Sequence, residues 1–596
     1  MTGLRIIFVC LVQALLVCGY YEKLDLRPLP RNALLASFSF SLSSELAPSV
    51  RDITHYGIFP RSVGQIIKSA HAHEVHLRFA QGWWDASEWG SLPEQGEFAG
   101  GTGVEVWAWM EGSELAEAER RWYELVNALS GLFCASLNFV DSTRTTINPL
   151  SFSPSSPSSS DKFLFHGSLP RETVCTENLT PFVKLLPCKG RAGISSLLDG
   201  HKIFDSKWQS MSLDFIPECT YRGCRLGMSQ KINVVLDVLR SLERQNHAPV
   251  PIPRPVERLM CDESKQYHSS EKCFPLPTAP TVKYKISDLF GKSVNSKCAL
   301  EQVDDTELNE FGENAGYNIC AHITGAWSLS RQGGTVLSSY DTRACFSLVE
   351  NEEFNLSFDT DNTSSVSPIS HAPVHIQRSM TGRGQQHGGI QTIIRNPSSS
   401  SDISVIYYEV LPWYMKPYLS SMTTHVSGYS SFDPVQKILY KPFLERVRGT
   451  YLEMILTIPA ASSLTISYDF DKTLLYLAEY PPDANRGFDV SPGILRVISS
   501  SPEDAYVMRT SSLLLALPTP DFSMPYNVII LTSTVMALVF GTVFNILVRR
   551  FVYEEDIERE YRGRGGFKGR LKELFKRKKS ANEDDKKAKK IEGTTT

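Results

Sequence analysis

ALLASFSFS, at residues 33–41, sets how the rest of the chain is read. Phe38 and Phe40 alternate with Ser37, Ser39 and Ser41, and a period of two sends successive side chains to opposite faces of an extended strand. Short apolar runs bounded by turn residues recur at 104–109 (VEVWAW), 404–410 (SVIYYEV) and 463–470 (SLTISYDF), each of which predicts a strand. The expected fold is mainly β (α+β): β-sandwich-like sheets with few helices, in two or more β-rich subdomains between residues 20 and 524. One helix stands out at residues 115–133, where Trp122, Leu125, Val126, Leu129, Leu132 and Phe133 recur at helical spacing. Glu117, Glu119, Arg120 and Glu124 take its other faces. Two biased stretches, 148–160 (rich in Ser and Pro) and 381–401 (rich in Gly, Gln and Ser), are predicted to be mobile loops.

The two ends of the chain set its compartment. Residues 1–19 read as a signal peptide: Arg5 precedes the apolar run 6–17, and Val17 and Gly19 are small residues at −3 and −1 to a cleavage that leaves Tyr20 first. Near the other end, NVIILTSTVMALVFGTVFNILV (527–548) carries no charge and is long enough for a transmembrane helix. Arg549 and Arg550 follow at once, and basic residues recur to Lys590, so the tail 549–596 is expected in the cytosol and the bulk in the lumen, a single-pass type I arrangement. A cleaved lipid-anchor signal would end in its apolar stretch, whereas here a long polar segment follows.

About 500 residues lie between these marks, and the whole chain of 596 residues has a formal net charge of −4. That balance argues against nucleic acid as the main partner. RGRGGF (562–567) resembles an RNA-binding segment, but beside a membrane a basic stretch reads as a topology signal touching anionic head groups. Of twelve cysteines, Cys10 and Cys18 leave with the signal peptide. The remaining ten are Cys134, Cys175, Cys188, Cys219, Cys224, Cys261, Cys273, Cys298, Cys320 and Cys345, and an oxidising lumen favours pairing them. Cys219 and Cys224 lack the second Cys or His pair of a zinc site, and the even count also allows one cysteine bonded to another chain with one left free. Sequons at Asn178, Asn355 and Asn362 mark possible N-glycosylation, while Pro397 excludes Asn396.

A catalytic signature is hard to find. HAHEVH (71–76) concentrates metal-ligand types, but it is not HExxH. On a strand, His71 and His73 would face away from Glu74 and His76, so ordinary strand residues are the better reading. The chain has no GxSxG elbow, Walker loop or GxGxxG after a strand, and a catalytic thiol would need a base beside a reduced cysteine. No metal, cofactor or catalytic residue is assigned.

Nine blocks, in order along the chain, resemble the PIG-T family, a subunit of GPI transamidase. They are LDLRPLP (24–30), HYGIFP (55–60), QGWW (81–84), CASLNF (134–139), VCTENLTP (174–181), LLPC (185–188), VLPWY (410–414), EYPPDANRGF (479–488) and PTPDFSMPYNV (518–528). The resemblance implies a noncatalytic lumenal subunit of an endoplasmic reticulum membrane complex that attaches GPI anchors to proproteins. In that complex a caspase-like partner subunit cleaves the proprotein, holds it as a thioester and passes it to the GPI amine, alongside polytopic membrane subunits. By resemblance, Cys175 forms an interchain disulfide to the catalytic subunit; an intrachain Cys175–Cys188 bridge is the alternative. The prolines of 518–528 are expected to hold the chain extended before the helix, and Tyr526 and Asn527 to lie at head-group depth as possible GPI contacts or plain interfacial anchors. The other function class is an independent lumenal hydrolase or glycan-binding membrane receptor.

Overall fold

The strand announced at residues 33–41 runs Ala33–Ser43 in a computed structural model of the chain. The model describes residues 19–152, 161–243, 282–301, 318–323, 327–361, 366–519, 523–549 and 553–555, less 171, 222, 341, 367, 383, 430–431, 482 and 500–504. The signal peptide, nearly all of the tail, Cys261, Cys273 and Asn362 lie outside the described residues.

Ala33–Ser43 is a central member of an 11-stranded sheet. From one edge the order is Thr335–Tyr340, Arg343–Ser347, Ile319–His322, Tyr20–Leu29, Ala33–Ser43, Gly223–Asp237, Ser206–Thr220, Ala72–Gly82, Gly103–Glu111, Lys162–Pro170 and Thr145–Ile147. All neighbours are antiparallel except Tyr20–Leu29 with Ile319–His322, which run parallel. The expected helix forms as Leu115–Phe133 and covers one face of this sheet, with Trp122, Leu125, Val126, Leu129 and Phe133 buried. Trp122 stacks on Phe165 at 5.6 Å, and Phe38 meets Phe290 edge to face at 5.6 Å. These rings join one hydrophobic core.

The second half of the chain is a sandwich. One sheet holds His375–Thr381, His387–Arg395, Ser463–Lys472 and Met415–Val426; the other holds Val435–Lys441, Thr450–Ile458, Ile403–Leu411, Ile494–Val497 and Val507–Arg509. Ile390, Ile394, Leu464 and Ile466 from the first share a core with Val405, Tyr407, Met454 and Leu456 from the second, the inward half of each alternation. Leu35, Trp84, Trp208 and Val235 of the large sheet and its flanking segment enter that same core. The large sheet is thus packed on both faces, by helices and by the sandwich, and the chain up to Pro518 forms one unit with two main cores.

Two expectations need correction. Residues 381–401 are not a loop throughout: they contain the strand His387–Arg395, paired on both sides, with Ile390, Thr392 and Ile394 buried. Glycine and serine content hid a period-two pattern whose buried members need only be every second residue. The C-terminal helix, a separate unit, spans Ser523–Val548 and so starts four residues before Asn527. Pro525 falls in its first turn, where the amide hydrogen that proline lacks has no intrahelical acceptor. Met524–Val548 is long and apolar enough to cross a membrane. Its Thr532, Thr534 and Thr542 hydroxyls donate to carbonyls one turn back at 2.7, 2.7 and 2.8 Å, which satisfies them without water.

Candidate functional site

Three disulfides occur among the described residues: Cys188–Cys298, Cys219–Cys224 and Cys320–Cys345. Cys219 and Cys224 face each other across one hairpin, and Cys320 and Cys345 across neighbouring strands. With Cys188 bonded to Cys298, the alternative Cys175–Cys188 bridge is ruled out: Cys188 has one sulfur and it is taken. Cys134 and Cys175 keep free thiols.

These two thiols sit at opposite kinds of helix end. Cys134 terminates Leu115–Phe133 in a left-handed conformation (φ 50°, ψ 39°) and is exposed. Cys175 is the extended N-cap of the helix Thr176–Lys184 and is half-buried. One side chain joins the two ends. Asn178 accepts from the Cys175 amide through Oδ1 at 2.8 Å, and its Nδ2 donates to the carbonyls of Phe133 at 2.9 Å and Cys134 at 3.2 Å. An orphan donor of one helix and orphan acceptors of the other are satisfied together. Glu172 adds a second tie, accepting from the Ser136 amide at 3.0 Å and hydroxyl at 2.5 Å.

The platform beneath Cys175 is firm. Leu179 and Phe182 are buried, Gln230 Nε2 donates to the Phe182 carbonyl at 3.1 Å, and the chain beyond the helix is held by Cys188–Cys298. Such a mount presents a thiol in a defined direction, which suits a bond to another polypeptide. Cys134 is the member that sequence reading left without a role; its signal was position, since it opens the CASLNF block.

The sequon at Asn178 is corrected by the same geometry. The residue is 2% exposed and its amide nitrogen already serves two carbonyls, so a glycan on it is incompatible with this packing. Asn355 is half-buried, with Nδ2 donating to Ser287 Oγ at 2.8 Å. Tyr526 and Asn527 fall in the first turns of the apolar helix, both exposed.

His76 proves structural. Its Nδ1 lies 2.5 Å from Asp214 and its Nε2 2.6 Å from Glu74, and Arg78 reaches Asp214 at 2.7 Å, all deep in the large sheet. Burial opposes a charged ring, but the two carboxylates outweigh it and raise the His76 pKa. Among the described residues no group of three or more His, Cys, Asp or Glu is placed to hold a metal ion.

Fold and site together define a class: a β-rich unit followed, among the described residues, by one helix able to cross a membrane, displaying an unbridged thiol at a half-buried helix cap. The family described as "Gpi16 subunit, GPI transamidase component" matches residues 4–576. The chain is 40% identical to GPI transamidase component GPI16 of Saccharomyces cerevisiae over 565 residues, covering 91% of this chain and 90% of that one. It is 35% identical to the GPI transamidase component PIG-T homolog of Schizosaccharomyces pombe (90% and 91%) and 30% identical to GPI-anchor transamidase component PIGT of Homo sapiens (93% of each). The chain belongs to the Gpi16 family of GPI transamidase components. That membership supports a role in GPI-anchor attachment and implies partnership with the other subunits of the complex.

Proposed function

We propose that this chain is the noncatalytic lumenal scaffold of the transamidase in the endoplasmic reticulum membrane, and that Cys175 tethers it covalently to the caspase-like catalytic subunit. The observation that carries this reading is the free thiol of Cys175 on a rigid cap, beside cysteines that find partners within the chain. A covalent link raises the effective concentration of a catalytic subunit next to substrates confined to a membrane, which interface area alone supplies less reliably. In this arrangement Tyr526 and Asn527 stand at head-group depth, near the GPI lipid or neighbouring helices, where an aromatic ring and an amide are well solvated.

The test is the complex purified under oxidising conditions and run on nonreducing gels. The wild type is expected as a band of summed mass that reductant splits into this chain and the catalytic subunit, and Cys175→Ser is expected to run as a monomer and to transfer anchors more slowly. A wild-type monomer band removes the tether. In the same transfer assay Asn527→Leu is expected to assemble normally but transfer less; unchanged transfer discards the GPI contact. An independent lumenal hydrolase or receptor would instead run alone and keep its own activity.

A further inference from the structure

One end of the sandwich is unusually apolar on its outside. The strand Ile403–Leu411 runs from the 398–402 turn to the 412–414 loop, and its partner Thr450–Ile458 runs back, so loops 442–449 and 473–480 gather at the Leu411 end. There Leu444 is 50% exposed, Val447 56%, Leu474 70%, Tyr476 67% and Leu477 50%. These side chains are held outward by structure. Arg446 clamps one loop to the other through both oxygens of Glu479, at 2.5 and 3.1 Å, and its guanidinium lies 4.0 Å from the Tyr476 ring and 4.6 Å from the Trp413 ring. Glu479 also accepts from the Tyr476 amide at 2.7 Å. A cluster of large exposed apolar side chains on a built surface marks a docking surface.

Chain connectivity indicates the occupant. Tyr480, next to Glu479, donates to the carbonyl of Pro518 at 2.5 Å. The apolar helix begins at Ser523, five residues later, and five residues reach at most about 18 Å. We propose that this end of the sandwich dips into the bilayer that the helix crosses, with Leu444, Val447, Leu474, Tyr476 and Leu477 at the boundary between head groups and acyl chains. Leucine and valine supply the apolar contact, Tyr476 is a ring of the interfacial kind, and Lys416, paired with Glu445 at 2.7 Å, can turn its ammonium to lipid phosphate. The opposite end lies about 30 Å away along nine strand residues; its 398–402 turn carries four serines and Asp402, with the exposed Tyr429, Phe432 and Ile498 on neighbouring loops. The proposal depends on the helix being membrane-spanning and is independent of the Cys175 tether.

The experiment places p-benzoylphenylalanine at Leu477, Leu444 or Ser400 of the full-length chain in its complex, reconstituted in phosphatidylcholine nanodiscs and irradiated. An aromatic replacement at an exposed apolar site leaves the core intact, and at Ser400 it stays on an exposed turn. The expected result is a shift by the mass of one phospholipid from positions 477 and 444 and none from 400. Cross-links from 477 and 444 to another subunit in place of lipid, no lipid adduct there, or equal lipid adducts at all three positions would each overturn the proposal.

Discussion

The two halves of the globular unit solve the same problem, burying a sheet, in different ways. The sandwich covers itself, one sheet on the other, and contains no cysteine, since none follows Cys345. The large sheet depends on helices and loops gathered from distant sequence, and all three described disulfides lie in that half. They lie at different depths, with Cys298, Cys320 and Cys345 buried and Cys219 exposed. Cys320–Cys345 ties strands next to the sheet edge, Cys219–Cys224 closes a hairpin tip that is exposed, and Cys188–Cys298 fixes a loop after the Thr176–Lys184 helix. Covalent staples restrict the unfolded chain of a half assembled from distant segments.

Both halves bury charge: the large sheet at Arg78, Asp214 and His76, and the sandwich at one ion pair in its core. Arg378 and Glu409 are both fully buried and pair at 2.5 Å, the second Glu409 oxygen accepts from Tyr468 at 2.6 Å, and Arg378 Nη1 donates to the Ser491 carbonyl at 2.6 Å. Burial opposes the Arg378 charge, but Glu409 and its neighbours raise the pKa. Removing one partner strands the other, so Glu409→Ala is expected to cost about 3–5 kcal/mol, the largest effect considered. Chemical denaturation with and without reductant checks it: the loss should be the same in both, because no staple supports this half. Glu409→Gln, which keeps the shape and can still accept from Tyr468, should lose less; an equal loss would mean that the charge and not the shape of Glu409 governs the site.

Much of this contrast was legible in the residues. Alternation and short apolar runs located the strands at 33–41, 104–109, 404–410 and 463–470, and helical spacing located Leu115–Phe133; burial on one side sets the pattern at 463–470 and in the helix, whereas residues 104–108 are all buried. The strand His387–Arg395 escaped because its exposed positions carry the loop-like composition and its order comes from two neighbours distant in sequence. Cys175 was found through a motif block, whereas the freedom of its thiol was not, since disulfide pairing depends on which Cα atoms the fold brings within about 7 Å. The linking role of Asn178 was hidden under a glycosylation sequon that shares the same letters.

The staples make the second prediction. Replacing Cys320 and Cys345 together by Ser opens a link between residues 25 apart in sequence, for which chain entropy gives about 3.5 kcal/mol. Hydrogen exchange should localise the change, with faster exchange across Ile319–His322 and Arg343–Ser347 and unchanged protection in Thr450–Ile458. Equal loss of protection in the sandwich would mean that the halves unfold as one, and the comparison between them would then hold for construction only.

The smallest effect falls on the site itself. Asn178→Ala removes an acceptor for the Cys175 amide and a donor to two carbonyls at the end of Leu115–Phe133, and a lost cap of this kind costs about 1 kcal/mol. The global stability should therefore barely move, while the direction in which Cys175 is presented loosens. If the tether depends on that direction, the substituted chain folds, keeps Cys188–Cys298 and forms the interchain bond more slowly when reduced complex is reoxidised. The unsubstituted chain should run on a gel with no glycan at residue 178, since glycosidase digestion of wild type and Asn178→Ala would remove the same mass. Reoxidation at the wild-type rate would show that a free thiol suffices and that the cap is there to join two helix ends.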